Sequence, residues 1–228
     1  MNYLKASLIS IFCLFLFSLN AQTIALEQFD GINVAAGLNV VLVSSDKNYV
    51  EVEMIKGDIK DVIIKVKNNT LRLKADSNLF GKAPKADLTV YHTGFLNSID
   101  VSSGSRLKSS QVLKGDRMEL EASSGASCSV EIDVEELKVD VSSGARITVT
   151  GKASAQSVDV SSGSKYSGKE LISAYADVSS SSGAKAVVHC SKRIKAESSS
   201  GGNISYYGNP KDQDLDSAKW SGGSIKAK

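Results

Sequence analysis

Prolines, cysteines and histidines are scarce in this chain, with two, three and two of them in 228 residues, and aromatic residues make up 6%. So few cysteines exclude a disulfide framework as the source of stability. With only His92 and His189 present, a histidine-dependent serine nucleophile has few places to form, and no Gly-x-Ser-x-Gly elbow accompanies either. Neither sign of charge dominates: 27 basic residues against 25 acidic ones give a net charge of +2, which provides no footprint for nucleic acid. The one long apolar run, Leu8–Leu19, has about 12 residues, short of the roughly 20 that a membrane-spanning helix needs. A hydrophobic fraction of 42% is ordinary for a chain that builds one real core.

That run sits where an export signal would sit. Lys5 supplies a positive start, Leu8–Leu19 the apolar core, and Leu19-Asn20-Ala21 a small residue before the cut. Residues 1–21 are therefore expected to be a signal peptide, and residues 22–228 a single mature domain beginning at Gln22. Cys13 lies within the apolar core and lacks the small residues that precede a lipidated cysteine. The mature chain keeps Cys128 and Cys190.

What the chain has in abundance is Ser-Ser-Gly. The motif ends at Gly104, Gly125, Gly144, Gly163, Gly183 and Gly201, with a last Ser-Gly at Gly222, at intervals of 21, 19, 19, 20, 18 and 21 residues. A period of this length is the signature of stacked coils. Aligned on glycine, the repeats show one apolar column of Ile99, Leu120, Val139, Val158, Ala176 and Ala196, and a second of Val101, Ala122, Val141, Val160, Val178 and Ser198. In this alignment Ser179–Ser182 is read as carrying two extra serines. Between those columns runs an acidic one: Asp100, Glu121, Asp140, Asp159, Asp177 and Glu197. Alternation of this kind turns the apolar pair inward and the acid to solvent. After glycine come a small residue, a mostly basic one (Arg106, Arg146, Lys165, Lys185) and an inward column of Leu107, Cys128, Ile147, Tyr166, Ala186 and Ile204. Cys128 and Cys190 fall three coils apart, on the order of 14 Å, so both are expected as buried free thiols.

Residues 29–95 read as further strands, with Val62–Lys67 and Thr70–Lys74 forming a hairpin across Asn68-Asn69 and residues 75–86 a polar loop. The expected fold is all-β: a parallel β-helix-like solenoid of about 20-residue coils over residues 96–226, with the strand-rich residues 29–95 capping or continuing one end.

The acidic column is the first candidate site. Stacked carboxylates about 4.8 Å apart repel one another, and Ca²⁺ would relieve them. The chain lacks close Asp-x-Asp-x-Asp clustering, however, and basic residues across the corner are expected to offset the repulsion, which favours a solvated face without metal or cofactor. A polysaccharide-cleaving β-helix would need one acid pair about 5–9 Å apart in a cleft, and a periodic column singles out none. Tyr206, Tyr207 and Trp220 are candidate aromatic contacts for a sugar ring.

Phe29-Asp30-Gly31-Ile32-Asn33-Val34, Asn69-Thr70-Leu71, the run of Ser-Gly coils and Tyr206-Tyr207-Gly208-Asn209-Pro210, taken in that order, resemble the "putative auto-transporter adhesin, head GIN domain" family of Bacteroidota-like bacteria. The resemblance covers about residues 29–226 and implies an exported β-helix-like domain, to be found in the periplasm, at the outer-membrane surface or outside the cell. The expected role is a non-enzymatic adhesin or envelope-interaction module with a glycan or a protein at the cell surface as partner, the alternative being a polysaccharide-active β-helix enzyme. This chain departs from the family's pattern in carrying Ser-Ser-Gly where the family often has one serine before glycine. No site residues carry over from the family.

Overall fold

Each repeat offers a run of alternating apolar residues, a two-residue reversal and a second alternating run, so neither half can bury its apolar side without a neighbouring coil. The computed structural model, which describes residues 21–76 and 84–228, shows how the coils supply one another. The signal-like segment Leu8–Leu19, with Cys13, lies outside the described residues.

In chain order the strands are β1 (Ala21–Ala25), β2 (Gly31–Ala35), β3 (Asn39–Ser44), β4 (Tyr49–Lys56), β5 (Val62–Lys67), β6 (Thr70–Ala75), β7 (Lys85–His92) and β8 (Ser98–Val101). They continue as β9 (Arg106–Ala122), β10 (Ser127–Val141), β11 (Arg146–Val160), β12 (Lys165–Ser180), β13 (Lys185–Ser198), β14 (Asn203–Tyr207), β15 (Asp212–Ser217) and β16 (Ser224–Ala227). From β9 to β14 each strand pairs in parallel with the next, and the whole is a β-solenoid of about 7 turns with coils of about 19 residues.

The Ser-Ser-Gly corner is a type I′ turn. Ser103, Ser124, Ser143, Ser162, Ser182 and Ser200 have φ between 47° and 54°, and the glycine after each has φ between 70° and 76°. The turn closes on itself, as where the Ala145 N–H donates to the Ser142 carbonyl at 3.0 Å. The glycine N–H is then free to donate to the next corner, as from Gly144 to the Ser162 carbonyl at 3.1 Å. The residue after the glycine is buried wherever it is serine or alanine, and where it is Gly202 a Cβ would stand 2.1 Å from the Ser180 carbonyl oxygen.

Cys128 and Cys190 are buried free thiols, and burial pushes their pKa values up to about 12 and about 11. Serines also occupy the core side of the stack. Ser180 and Ser198 are 2% and 3% exposed, and their hydroxyls donate to the carbonyls of Ala184 and Gly202. Local carbonyl partners are what make a hydroxyl tolerable there.

The first coils do not stack in chain order. β2 lies between β6 and β8, and β3 between β7 and β9, so residues 31–44 form an inner coil and residues 70–92 an outer one. Ala36 (φ 63°) and Gly37 (φ 80°) turn the inner coil as a Ser-Gly corner does, with Val34 in register with Val101. The expected hairpin joins β5 to β6 across Asn68 and Asn69, both left-handed. The loop expected over 75–86 is shorter, since Ala75 closes β6 and Lys85 opens β7. Antiparallel β4 and β1 extend the other face beyond β7.

Glycines at corners and glycines inside strands should answer differently to substitution. A Cβ on Gly144 meets nothing within 4 Å, whereas on Gly151, beside the register shift of β11, it would stand 2.1 Å from the Ile132 carbonyl oxygen. Gly144→Ala is expected to cost on the order of 1 kcal/mol, the left-handed penalty alone, and Gly151→Ala about 2–3 kcal/mol, as a shift of the urea unfolding midpoint will show.

Candidate binding groove and acidic column

Register decides which acids share a column. Asn33, Asp100, Glu121, Asp140 and Asp159 follow one another, but the next partner is Ser179, followed by Glu197 and Asp216. Asp177 is therefore not a member of the column. It sits one place along, in a second outward column of Glu119, Lys138, Ser157, Asp177, Lys195 and Asp214. The extra residue of that coil is taken up in the β11–β12 register shift between Thr148/Ser167 and Gly151/Leu171, not at the serine run.

The column's charge is not offset across the corner. Among the described residues, no column acid lies within 4 Å of Arg106, Arg146, Lys165 or Lys185, and Glu197 pairs instead with Lys195 on its own strand at 2.9 Å. Burial, followed by its acidic neighbours Asp100, Glu119 and Asp140, holds the Glu121 pKa above the usual value. Burial also raises that of Asp100, against a 2.6 Å hydrogen bond donated by Asn33. These two acids share a shallow depression of about 250 Å³.

A larger groove, of about 580 Å³, lies on the neighbouring face. One wall follows the outward column Arg117, Glu136, Ala155, Tyr175 and Arg193, and the other follows Glu119, Lys138, Ser157, Asp177 and Lys195. Between them the inward residues Leu137, Gln156 and Ala176 make the floor. The indentation arises because Ala155 and Ser157 interrupt two rows of long side chains. The charged walls are braced in pairs: Arg117 to Glu136 at 2.7 Å and Lys138 to Glu119 at 2.5 Å. Tyr175 stands 47% exposed, with the Lys192 ammonium 5.7 Å from its ring centre.

Beneath the floor is a closed polar network. The Tyr166 hydroxyl donates to Gln156 Oε1 at 3.1 Å, Gln156 Nε2 donates to Ser173 Oγ at 2.8 Å, and Ser173 Oγ donates to the His189 carbonyl at 2.8 Å. Gln156 is 2% exposed, so this network fixes the floor rather than offering free groups. A second depression, of about 880 Å³, shares Arg117, Glu119 and Glu136 with the groove and extends it to Phe95, which is 65% exposed. Phe95 and Tyr175 are four coil steps apart, ~19 Å along the axis.

The expected aromatic trio is not brought together. Tyr206 is a core residue, 5% exposed, whose hydroxyl donates to Gln213 Oε1 at 3.0 Å. Tyr207 points to the opposite side of β14, near Lys169 and His189. Trp220 is 93% exposed near the C-terminal end. Among the described residues, no three acidic, histidine or cysteine side chains converge as a metal site.

Two titrations follow. Because the folded state raises the Glu121 pKa, its ionised form is penalised at neutral pH and relieved as pH falls towards 4.5. Glu121→Gln should therefore raise the melting temperature at pH 7, with the gain gone by about pH 4. His92 has the opposite sign. It is 3% exposed with no ring nitrogen in a well-formed hydrogen bond, and burial lowers its pKa below 6.5 against a weaker opposing pull from the Gly94 backbone, so stability is full above pH 6.5 and lost as pH falls below it. His92→Leu should flatten the decline in melting temperature between about pH 6.5 and pH 5.

The family described as "Putative auto-transporter adhesin, head GIN domain" matches residues 28–210. Among solved structures, a putative adhesin from Bacteroides fragilis superposes with a TM-score of 0.81 at 17% identity, over 91% of this chain and 96% of that one. A putative adhesin from Parabacteroides merdae gives 0.71 at 16% identity over 91% and 95%, and a putative lipid binding protein from Parabacteroides distasonis gives 0.68 at 17% over 91% and 96%. At these identities the likeness is one of fold. No curated protein matches the sequence. No helix of the described residues is long and apolar enough to cross a membrane.

Proposed function

Because the chain belongs to the putative auto-transporter adhesin, head GIN domain family, we propose that it is an exported, non-enzymatic binding module of the adhesin type whose groove holds an extended glycan chain at the cell surface. The observation that carries this reading is the groove itself: Tyr175 and Phe95 exposed along one axial channel whose walls are braced ion pairs. An aromatic face suits the apolar side of a sugar ring, and fixed carboxylates and guanidinium groups suit its hydroxyls. A peptide strand is a poorer fit. The backbone under the groove is committed to the inter-coil ladder, and so has no free groups for an added strand. The sequence supports export through the signal-like residues 1–21.

A polysaccharide-cleaving enzyme would place acids of raised pKa in the substrate cleft. Here Asp100 and Glu121, the acids that burial raises, line the 250 Å³ depression, and the larger groove has Tyr175. Binding is the better reading.

The purified protein is expected to retain a subset of bacterial or host glycans on an array, and Tyr175→Ala to weaken that retention at least tenfold, on the scale of losing one aromatic anchor. Retention of host proteins but no glycans would move the ligand to the protein class. Protease added to intact cells should digest the protein while a periplasmic control survives; survival until the outer membrane is opened would end the adhesin reading.

A further inference from the structure

The two ends of the solenoid are built differently, and their charges are opposite on the same sheet face. At the C-terminal end of one face lies β15, paired only with β13, so one full backbone edge is open. Its outward residues are Asp212, Asp214 and Asp216; Arg193 holds the first, at 3.4 Å, while among the described residues the other two have no ion pair. At the N-terminal end of the same face the outermost described strand is β5, paired only with β6, and its outward residues include the exposed Lys65 and Lys67, likewise without ion pairs. Inward residues at both ends are incompletely covered: Ile64 and Val66 are half-buried, and Leu215 is 42% exposed.

Charged residues on an edge strand ordinarily discourage strand addition. Against a partner of opposite sign the same charges, which point to solvent here, attract. An acidic edge at one end and a basic edge at the other leave head-to-tail contact favoured. The second face repeats the relation more weakly, with Lys226 and Lys228 at its C-terminal end and Glu51 and Glu53 on β4, one strand in from the N-terminal edge.

We propose that copies of this chain stack head to tail, β15 of one copy pairing with β5 of the next, so that the solenoid continues from molecule to molecule. Because β5 runs antiparallel to the coils, this junction is an antiparallel pair. The contact is heterologous and does not close, so the product is an open row rather than a dimer. A tail-to-tail dimer, with β15 against β16, also matches charges but leaves both N-terminal edges unpaired, whereas the stack covers all four.

Sedimentation velocity on the purified protein tests this. At about 0.05 M salt the wild type is expected to show species beyond the dimer that grow with concentration, shrinking towards monomer at about 0.5 M salt. Asp214→Lys with Asp216→Lys makes both ends basic on this face, and Lys65→Glu with Lys67→Glu makes both acidic; each variant alone should associate at least tenfold more weakly than wild type. Mixed in equal amounts, the two variants meet only in complementary contacts, and the mixture should recover the large species. Circular dichroism identical to wild type keeps misfolding out of the comparison. A monomer at every concentration, a species that stops at two copies and ignores Lys65→Glu with Lys67→Glu, or a mixture that stays monomeric would each overturn the proposal.

Discussion

The repeat coils rest on the parallel backbone ladder from one coil to the next, which the Ser-Ser-Gly corner continues through its own hydrogen bond. Reversing the chain in two residues requires positive φ at both, and the first of the two is a serine, which pays about 1–2 kcal/mol for the conformation. That cost recurs at every corner and is tolerable because the turn satisfies its own hydrogen bond and offers the glycine N–H to the coil beyond. The corner keeps the spacing of the inter-coil ladder, and the ladder's register sets which side chains form columns. Inward columns from the two faces meet in a core many coils long, and outward columns make stripes along the same axis.

Repetition gives a uniform cylinder, so anything that recognises a ligand must come from departures within a column. Ala155 between Glu136 and Tyr175, with Ser157 between Lys138 and Asp177, is such a departure, and it opens the groove. Tyr166 is another, inside: a ring in a column otherwise filled by smaller residues, accommodated because Gly168 lacks a side chain, whose Cβ would stand 2.6 Å from the tyrosine hydroxyl. That hydroxyl reaches Gln156 and ties the groove floor to the core. Outer shape and inner packing are linked through one glutamine.

The sequence made most of the coil structure readable because two signals agree in it, the glycine interval and the period-2 alternation of apolar residues. The buried thiol at Cys128 and the continuation of the coils past the last Ser-Gly at Gly222 were accessible in this way, and the hairpin through its Asn68-Asn69 turn. Where the signals disagreed, the alternation misled. Reading two of the serines in Ser179–Ser182 as extra moved Asp177 into the acidic column; Ser179 in fact follows Asp159 and Ser180 stays inside, its hydroxyl donating to the Ala184 carbonyl. Tyr206 looked like a surface contact beside Tyr207, although adjacent residues of a strand face opposite ways. The groove had no linear signature, since Arg117, Glu136, Tyr175 and Arg193 meet only through register. The exchanged order of the first two coils is equally invisible, because a strand of residues 31–44 has the same pattern whichever coil covers it.

The direction of the fold follows from where the repetition stops. At the N-terminal end antiparallel strands, β5 on one face and β4 and β1 on the other, depart from the parallel ladder, and their side chains mix Val, Ile and Lys on one edge with Glu inside the other. At the C-terminal end the chain keeps the parallel ladder to its last strands, and its edge residues alternate Asp with Gln and Leu on one face and Lys with Ile and Ala on the other. A solenoid with two different ends has a polarity along its axis. The groove shares that axis, running from Phe95 towards Tyr175, so a ligand lying in it meets an ordered series of contacts instead of a repeating one. Polarity of the scaffold and direction of the groove have one origin, the parallel stacking of the coils.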